Sequence, residues 1–301
     1  MNMLNFTSKP KNPIALSFDI EDWFTVRNMR ELINENEWHN QENRLNIGVD
    51  FILEELAKKN IKATFFVLGW IADNYPEVVR RISDQGHEIA CHGYNHTPID
   101  LLTPESFKED LTKALTHLEN VTGKKIKGFR APSFSVTQKT SWALPIMKEC
   151  GLEYDSSIFV TSHPDYGIQD FPTIQTEVNG MTVLPLKKSP LLLGANIPVC
   201  GGGYFRMLPY ALTKAALRKD LEKGPALMYF HPWEFDPGQP RVKLPPLKRF
   251  RHYVGLNSNR EKFVQLLNDF EFTTMENLLR LNRTRTVAEY RFANTPALVP
   301  V

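Results

Sequence analysis

The sequence predicts an α/β fold organised around a mostly parallel sheet. Short apolar runs at residues 14–18, 63–68 and 226–230 have the length and composition of buried strands. Amphipathic helical patterns lie between strands at intervals suited to β-α-β units. A length of 301 residues, of which 42% are hydrophobic, fits one core domain with an extension.

The first half of the chain alternates strand and helix regularly. Pro76 and Gly86 bound one helical pattern, and Pro104 and Gly123 bound the next, as expected for a helix that begins with proline and ends at glycine. The elements predicted in this half are strand 14–18, a helix around 47–56, strand 63–68, helix 76–86, strand 87–90, helix 104–123, strand 127–130 and helix 141–151.

The second half is less regular. Residues 156–205 are rich in Pro, Gly and short β patterns, so loops and hairpins are predicted there. The tail from Thr286 is expected to fray. The elements predicted between these segments are helix 208–221, strand 226–230, a basic Pro-rich connector at 240–251, helix 259–270, a short β segment and a last helix from about Met275.

Composition argues against several classes of protein. With 36 Lys and Arg against 34 Asp and Glu, the net charge is +2, so neither nucleic acid nor a membrane surface is expected as the main partner. Cys91, Cys150 and Cys200 form no CxxC pair, which argues against a disulfide framework and a thiolate zinc site. We find no transmembrane segment and no signal peptide, so a cytoplasmic location is expected if the sequence is complete.

Polar side chains follow the predicted strands at the point where each strand ends. Parallel α/β barrels place catalysis at this end of their strands. Two imidazoles with one carboxylate are a common ligand set for a catalytic zinc that keeps a position open for water. The residues at the predicted strand ends are Asp19, Glu21, Asp22, His92, His96, Arg130 and His231.

Each of these groups also has a purely structural interpretation. His92 and His96 could be ordinary surface or capping histidines, and the acidic cluster after the first strand could be a solvated turn. Arg130 could form a structural ion pair, and His231 could cap a strand. The metal interpretation is favoured because a predicted strand leads into the two histidines and another strand ends in the acidic cluster. Carboxylates packed so closely cannot all ionise cheaply without a cation or an arginine among them.

The motifs SFDIEDW, HGYNH, RAPSF, YDSS and FHPWEF occur in this order between residues 14 and 235. In this the chain resembles the polysaccharide deacetylase family (NodB homology, carbohydrate esterase 4). The segments CHGYNH, GGGYFRMLPY and HPWEFDPGQP further resemble the exosortase/PEP-CTERM-associated exopolysaccharide subgroup, which has its own C-terminal extension. The resemblance implies a distorted (β/α) barrel with a catalytic domain at 13–235 and an extension at 236–285.

The resemblance also implies a role for the residues at the strand ends. Asp19 matches the catalytic base, Arg130 the arginine that tethers the base, and His231 the general acid. His92 and His96 match the two metal-binding histidines.

The third metal ligand stays open at this stage. The family usually has two adjacent aspartates and uses the second as a ligand, whereas here Asp19 is followed by Ile20. Glu21 and Asp22 are both candidates. We favour Asp22, because a shorter carboxylate sets a tighter ligand geometry.

The remaining candidates concern the substrate. The resemblance implies an oxyanion-stabilising N–H on Ser133 and a fourth-motif aspartate at Asp155. Arg206 either binds a phosphate or carboxylate or is a helix-flanking arginine. The aromatic candidates for stacking on sugar rings are Phe134, Tyr204, Phe205 and Trp233.

The expected activity is metal-dependent removal of N-acetyl groups from an N-acetylhexosamine-containing polysaccharide or its precursor. The expected metal is Zn²⁺, with Co²⁺, Ni²⁺ or Mn²⁺ as alternatives. Two other functions stay open, a deacylase of small amides on the same barrel and a non-catalytic carbohydrate-binding protein. Association with the polysaccharide synthesis machinery is a further expectation.

Overall fold

A computed structural model describes residues 12–163, 166–190, 196–282 and 288–292. In this part of the chain every helix is too short or too polar to cross a lipid bilayer. The strands are β1 Ile14–Ile20, β2 Thr64–Val67, β3 Glu88–Cys91, β4 Gly128–Phe129, β5 Tyr154–Asp155, β6 Phe159–Val160, β7 Thr176–Val178, β8 Met181–Val183, β9 Leu186–Lys187, β10 Ser189–Pro190, β11 Asn196–Ile197, β12 Ala226–Phe230, β13 Phe272–Thr273 and β14 Ala288–Glu289. The helices are α1 Leu45–Lys58, α2 Gly69–Asn74, α3 Pro76–Asp84, α4 Pro104–Thr122, α5 Ala143–Glu149, α6 Gly202–Met207, α7 Tyr210–Lys223, α8 Pro246–Tyr253, α9 Leu256–Asp269 and α10 Met275–Asn282.

The main sheet has the strand order β12-β1-β2-β3-β4-β5-β8-β7-β14, and β13 adds to β1. Its neighbouring strands are parallel except in the β7–β8 hairpin. A small hydrophobic cluster fills the side between β5 and β12. It consists of Phe159 of β6, Leu186 of β9 and Cys200, packed against Tyr229 of β12. The sheet thus curls into the distorted α/β barrel that was predicted.

β1 lies in the core between β12 and β2, and five of its seven residues are apolar, the exceptions being Ser17 and Asp19. All seven of its residues are buried, as expected for a strand with parallel neighbours and both faces covered. The register sets Phe18 beside Phe65 of β2 and Phe230 of β12. The C-terminal ends of these strands therefore lie at one rim.

The C-terminal segment joins the same core. Phe263 of α9 packs against Phe18 and Phe230, with ring centroids 6.0 Å and 5.3 Å away. β13 pairs with the start of β1. The boundary between domains at 13–235 and 236–285 stays a prediction, and residues 283–285 lie outside the described residues.

Several elements differ from the predictions. α2 and α6 were not predicted, and the connector at 240–251 contains α8, which begins at Pro246 because a proline fits the first turn of a helix. Within the tail predicted to fray, β14 pairs with β7. Residues 286–287 and 293–301 lie outside the described part of the chain.

Candidate active site

Glu21 and the two histidines of the HGYNH motif meet at the rim of the barrel. The Oε1 atom of Glu21 lies 3.1 Å from His92 Nε2 and 3.0 Å from His96 Nε2. These atoms are close enough to share one metal ion. Burial opposes ionisation of Glu21, but the imidazoles of His96, His231 and His92 outweigh it and hold the pKa of Glu21 well below its usual value.

The backbone aims the two imidazoles. His92 directly follows β3, and its Nδ1 lies 2.7 Å from the carbonyl oxygen of Arg130. Because a carbonyl only accepts, Nδ1 carries the hydrogen and Nε2 faces Glu21. His96 lies on a loop with a left-handed φ of 54°, and its ring centroid is 5.3 Å from that of His92.

The preference for Asp22 as the third ligand is wrong. Its Oδ2 accepts hydrogen bonds from the backbone N–H groups of Arg44 and Leu45 at 2.8 Å and 3.0 Å, and its Oδ1 accepts one from Trp23 at 2.7 Å. The carboxyl group therefore satisfies free N–H groups at the start of α1. Burial raises its pKa to about 6. The longer side chain of Glu21 is the one that reaches the imidazoles.

Asp19 and Arg130 form a second charged pair beside this group. Arg130 Nη1 lies 2.7 Å from Asp19 Oδ1, and both side chains are almost fully buried. The other oxygen, Oδ2, faces His231 Nε2 at 3.9 Å. One carboxylate oxygen is thus held by the arginine, while the second is directed towards the mouth of the barrel.

Arg130 is fixed from several sides. Its guanidinium donates to Ser17 Oγ at 2.8 Å, and to the carbonyl oxygen and Oγ of Ser156 at 3.1 Å each. It also lies over the ring of Phe66, 4.1 Å from the centroid. These contacts set the orientation of the guanidinium independently of any substrate.

Asp155 does not face the mouth, so its predicted contact with substrate is wrong. It is fully buried and accepts hydrogen bonds from the N–H of Ser157, at 3.0 Å, and from the hydroxyl of the same residue. Burial raises its pKa to about 6. Ser157 Oγ also accepts from the N–H of Ala131. Asp155 therefore shapes the turn in which Ser156 holds Arg130.

His231 follows β12 and faces the same space. Its Nδ1 lies 2.6 Å from Glu234 Oε1, and its Nε2 is 3.9 Å from carboxylate oxygens of Asp19 and Glu21. Burial disfavours the charged ring, but the carboxylates of Glu21, Glu234 and Asp19 outweigh it and raise the pKa of His231 to about 9. The ring is therefore protonated at neutral pH.

Glu234 and the arginine that holds it were not predicted as a pair from the sequence. Glu234 is fully buried, and its Oε2 accepts from Arg206 Nε at 2.9 Å. The remaining guanidinium nitrogens donate to the backbone carbonyls of Arg251, His252 and Val254. The available signal was a glutamate three residues after the histidine that follows β12.

Two predictions on the glycine-rich segment are wrong. Arg206 is 3% exposed and its guanidinium is already engaged, so it cannot bind a phosphate or carboxylate of the substrate. Phe205 is fully buried with its ring 4.9 Å from that of Phe230, so it belongs to the core. Tyr204 is 48% exposed, and its stacking role stays a prediction.

Trp233 offers no open face to a sugar ring, so its predicted stacking role is wrong. The imidazoles of His231 and His252 stack on its ring at 5.3 Å and 4.5 Å. The guanidinium carbon of Arg206 lies 5.0 Å from the same ring, which is buried. Trp233 instead connects the histidine of the mouth to α8.

The RAPSF segment turns sharply beside Arg130. Ser133 and Phe134 both have left-handed φ values, 59° and 54°. Such conformations cost about 1–3 kcal/mol in non-glycine residues and cluster at functional sites. The ring of Phe134 lies 4.9 Å from that of Tyr229. The roles of Ser133 as oxyanion donor and of Phe134 as a stacking ring stay predictions.

A pocket of about 400 Å³ opens next to His96. The segment between β1 and α1 forms most of its wall, and Arg30 from this segment donates to the carbonyl oxygen of His96 at 3.3 Å. The available signal for this wall was the long interval between the first predicted strand and the first predicted helix. Other polar residues that line it are Asn34, Glu35, Asn36, Glu37 and Asn95.

Two family models match the chain. Residues 43–154 match polysaccharide deacetylase, and residues 156–280 match a domain of unknown function, DUF3473. The first match contains both histidines of the HGYNH motif and Arg130. The second contains His231, Glu234 and α8.

Individual relatives match over shorter stretches. A peptidoglycan deacetylase-like protein from Gibberella zeae is 34% identical over 114 residues, which is 37% of this chain and 33% of the relative. A peptidoglycan-N-acetylglucosamine deacetylase from Bacillus cereus is 32% identical over 93 residues, 31% of this chain and 34% of the relative. The chain thus spans about a third of the length of these relatives. A crystal structure from Mycobacterium smegmatis, described as that of a polysaccharide deacetylase, aligns over 98% of both chains with 21% identity and a TM-score of 0.63, and it has the same fold.

Proposed function

Because the chain belongs to the polysaccharide deacetylase family, we propose that it is a metal-dependent hydrolase that removes N-acetyl groups from an N-acetylhexosamine-containing polysaccharide or its precursor. The observation that carries this proposal is that His92 Nε2 and His96 Nε2 both lie within about a hydrogen-bond length of Glu21 Oε1, beside the Asp19–Arg130 pair. A base, an acid and a ligand set for a cation then face one space.

The residues at the rim fit a divalent cation. Glu21, His92 and His96 would hold it through one carboxylate oxygen and two imidazole Nε2 atoms, a set that leaves a position open for water or substrate. We propose Zn²⁺, with Co²⁺, Ni²⁺ or Mn²⁺ as alternatives. When bound, such an ion supplies Lewis-acid polarisation of the acetamide carbonyl and a water of lowered pKa.

Asp19 is the proposed general base. Its Oδ1 is held by Arg130, so Oδ2 is the oxygen that takes a proton from the attacking water. The guanidinium keeps the carboxylate in one orientation and compensates its charge inside the barrel. The backbone N–H of Ser133 is the proposed donor to the developing oxyanion.

His231 is the proposed general acid. With a pKa raised to about 9 by Glu21, Glu234 and Asp19, against the effect of burial, it carries a proton at neutral pH. The bond from Nδ1 to Glu234 leaves Nε2 to deliver that proton to the leaving amine. The products are acetate and a glycan with a free amino group.

The substrate class is supported by the relatives and by the space beside the site. Both curated relatives described above are named for deacetylation of peptidoglycan. The pocket next to His96, about 400 Å³ in volume, can receive a sugar ring adjacent to the reacting amide. The resemblance of the GGGYFRMLPY segment favours an exopolysaccharide as the polymer.

Metal analysis combined with acetate release tests the proposal. The protein is loaded with Zn²⁺ and offered N-acetylglucosamine oligomers and small acetamides. We expect acetate from the oligomers, no metal and no activity in the double variant His92→Ala/His96→Ala, and retained metal with at least about a 10²-fold lower rate in Asp19→Asn.

A histidine outside the site provides the matched control. His117 on α4 pairs with Asp73, and His117→Ala should keep both metal and activity. Faster turnover of small acetamides than of oligomers would favour the deacylase alternative. Full activity in Asp19→Asn would remove the proposed mechanism.

A further inference from the structure

The segment that contains α8 is strongly basic although the chain as a whole is nearly neutral. Six Lys and Arg residues and no Asp or Glu lie between Asp236 and Glu261, whereas the net charge of the chain is +2. Within the described part of the chain, Lys243, Arg249 and Arg251 are exposed and form no ion pair. A local positive charge is thus left for a partner outside the molecule.

Apolar side chains stand among these charges. Leu247 and Phe250, one helical turn apart on α8, are 61% and 54% exposed. Phe250 also borders a shallow groove of about 450 Å³, together with Leu244, Tyr253 and Val254. Exposed apolar groups of this size rimmed by polar residues mark interaction surfaces. We call the surface formed by Arg241, Lys243, Leu247, Arg249, Phe250 and Arg251 the α8 surface.

The α8 surface lies alongside the mouth of the barrel. His252 of the same helix stacks on Trp233, which stacks on His231. On the other side, Lys248 reaches Glu31 at 2.8 Å, and Glu31 belongs to the segment that walls the pocket next to His96. A partner bound to the α8 surface would therefore lie beside the opening of the site.

We infer that the α8 surface docks onto an anionic lipid surface and holds the mouth of the barrel against it. Basic residues near such a surface are attracted by its negative potential. Leu247 and Phe250 gain further free energy by entering the boundary between headgroups and acyl chains. The basic residues match the negative charge of the headgroups, and the exposed apolar side chains match the acyl chains beneath them.

Two other partners fit less well. An acidic polysaccharide would satisfy the charges but would give Leu247 and Phe250 no apolar phase to enter. A second copy of the chain, docked through the same face, would set Arg249 and Arg251 against their own copies, and like charges repel.

Vesicle sedimentation with the full chain, without substrate, tests the inference. We expect binding to phosphatidylcholine vesicles that contain phosphatidylglycerol and none to phosphatidylcholine alone. The variant Leu247→Ser/Phe250→Ser should bind at least about 10-fold more weakly, because each side chain loses its transfer into the apolar phase. Arg249→Glu should also weaken binding, and added salt should weaken what remains.

Matched substitutions elsewhere control for nonspecific effects. Leu101 is 62% exposed and the side chain of Lys125 is 85% exposed, and neither belongs to the α8 surface, so Leu101→Ser and Lys125→Glu should bind like the unmodified chain. Circular dichroism and thermal unfolding check that each variant is folded.

Two results would overturn the inference. One is equal binding of the Leu247→Ser/Phe250→Ser variant, which together with competition by an acidic polysaccharide would identify a polysaccharide as the partner. The other is the absence of binding to anionic vesicles. Because the measurement needs no substrate, its outcome is independent of the proposed deacetylase activity.

Discussion

The proposed metal side of the mouth and its proposed general-acid side are held by different kinds of contact. On the metal side, the carboxylate of Glu21 touches both imidazoles directly. On the acid side, His231 is held by Glu234, and Glu234 by Arg206. Arg206 is held in turn by the carbonyls of Arg251, His252 and Val254. The first arrangement depends on side chains at strand ends, and the second on a series of contacts that reaches into α8.

This difference has consequences for substitution. Removal of one ligand leaves the other two without a complete site, so the metal side should respond in an all-or-none manner. On the acid side, each link orients the next, and the loss of a link should slow the reaction without abolishing it. The predictions below test this contrast, from the largest expected effect to the smallest.

The largest effect is expected at Glu21. Glu21→Gln keeps the size of the side chain but removes the charge between the two imidazoles, so bound metal should fall to background. Activity should fall by at least about 10³-fold, because Lewis-acid catalysis contributes several kcal/mol. Metal analysis and acetate release measure both effects.

The neighbouring acid gives the matched control for this substitution. Asp22→Ala should keep the metal and lose about 1–2 kcal/mol of the free energy of unfolding, because the N–H groups at the start of α1 lose their acceptor. Loss of metal in Asp22→Ala with retention in Glu21→Gln would reverse the assignment of the ligand.

An intermediate effect is expected at Glu234, which acts through His231 as a positioning residue. Glu234→Gln should lower kcat by about 10–100-fold while metal content stays unchanged. His231 must carry its proton to act as an acid, so activity declines as the pH rises through its pKa. Because Glu234 helps to raise that pKa, the alkaline limb of the kcat profile should move to lower pH in the variant.

A structural role alone would lower kcat without moving the pH profile. Glu261 is an exposed glutamate on α9, and Glu261→Gln should leave both the rate and the profile unchanged. A Glu234→Gln variant with an unshifted alkaline limb would mean that His231 is not the titrating acid.

The same contrast explains how much could be predicted from the sequence. The strands were predicted because their apolar runs are local, and the polar residues after them meet because parallel neighbours end at one rim. The barrel and the convergence of Glu21 with His92 and His96 follow from these local patterns. The choice between Glu21 and Asp22 did not, because it depends on which carboxyl group faces the N–H groups of α1.

The contacts on the acid side could not be predicted from local sequence patterns. Arg206 and Trp233 are residue types that often bind substrates. The guanidinium of Arg206, however, donates to backbone carbonyls of a segment more than forty positions away along the chain. Phe205 was likewise predicted to stack on a sugar ring, but it is fully buried. Its burial depends on the packing of α6 against Phe230. Such contacts between distant segments are set by the folded structure.

The smallest effect on catalysis is expected at His252, the last ring of the acid side, whose protonation affects stability instead. Burial, together with the nearby charge of Arg206, lowers its pKa from 6.5 to about 3. Below pH 6.5 the unfolded residue takes up a proton while the folded one stays neutral. The free energy of unfolding is therefore fully retained above that pH and decreases as the pH falls, by up to about 1.4 kcal/mol per pH unit.

The variant His252→Phe isolates this contribution. It keeps an aromatic ring against Trp233 but cannot titrate, so its free energy of unfolding should depend less steeply on pH than that of the unmodified chain. Burial also lowers the pKa of His87, to about 4. His87 adds equally to the pH dependence of the free energy of unfolding in both proteins, so its contribution cancels in the comparison. Denaturant unfolding across the acidic range measures the two slopes. Equal slopes would mean that His252 is not kept neutral by its surroundings, and the proposed link between α8 and the general acid would lose its physical basis.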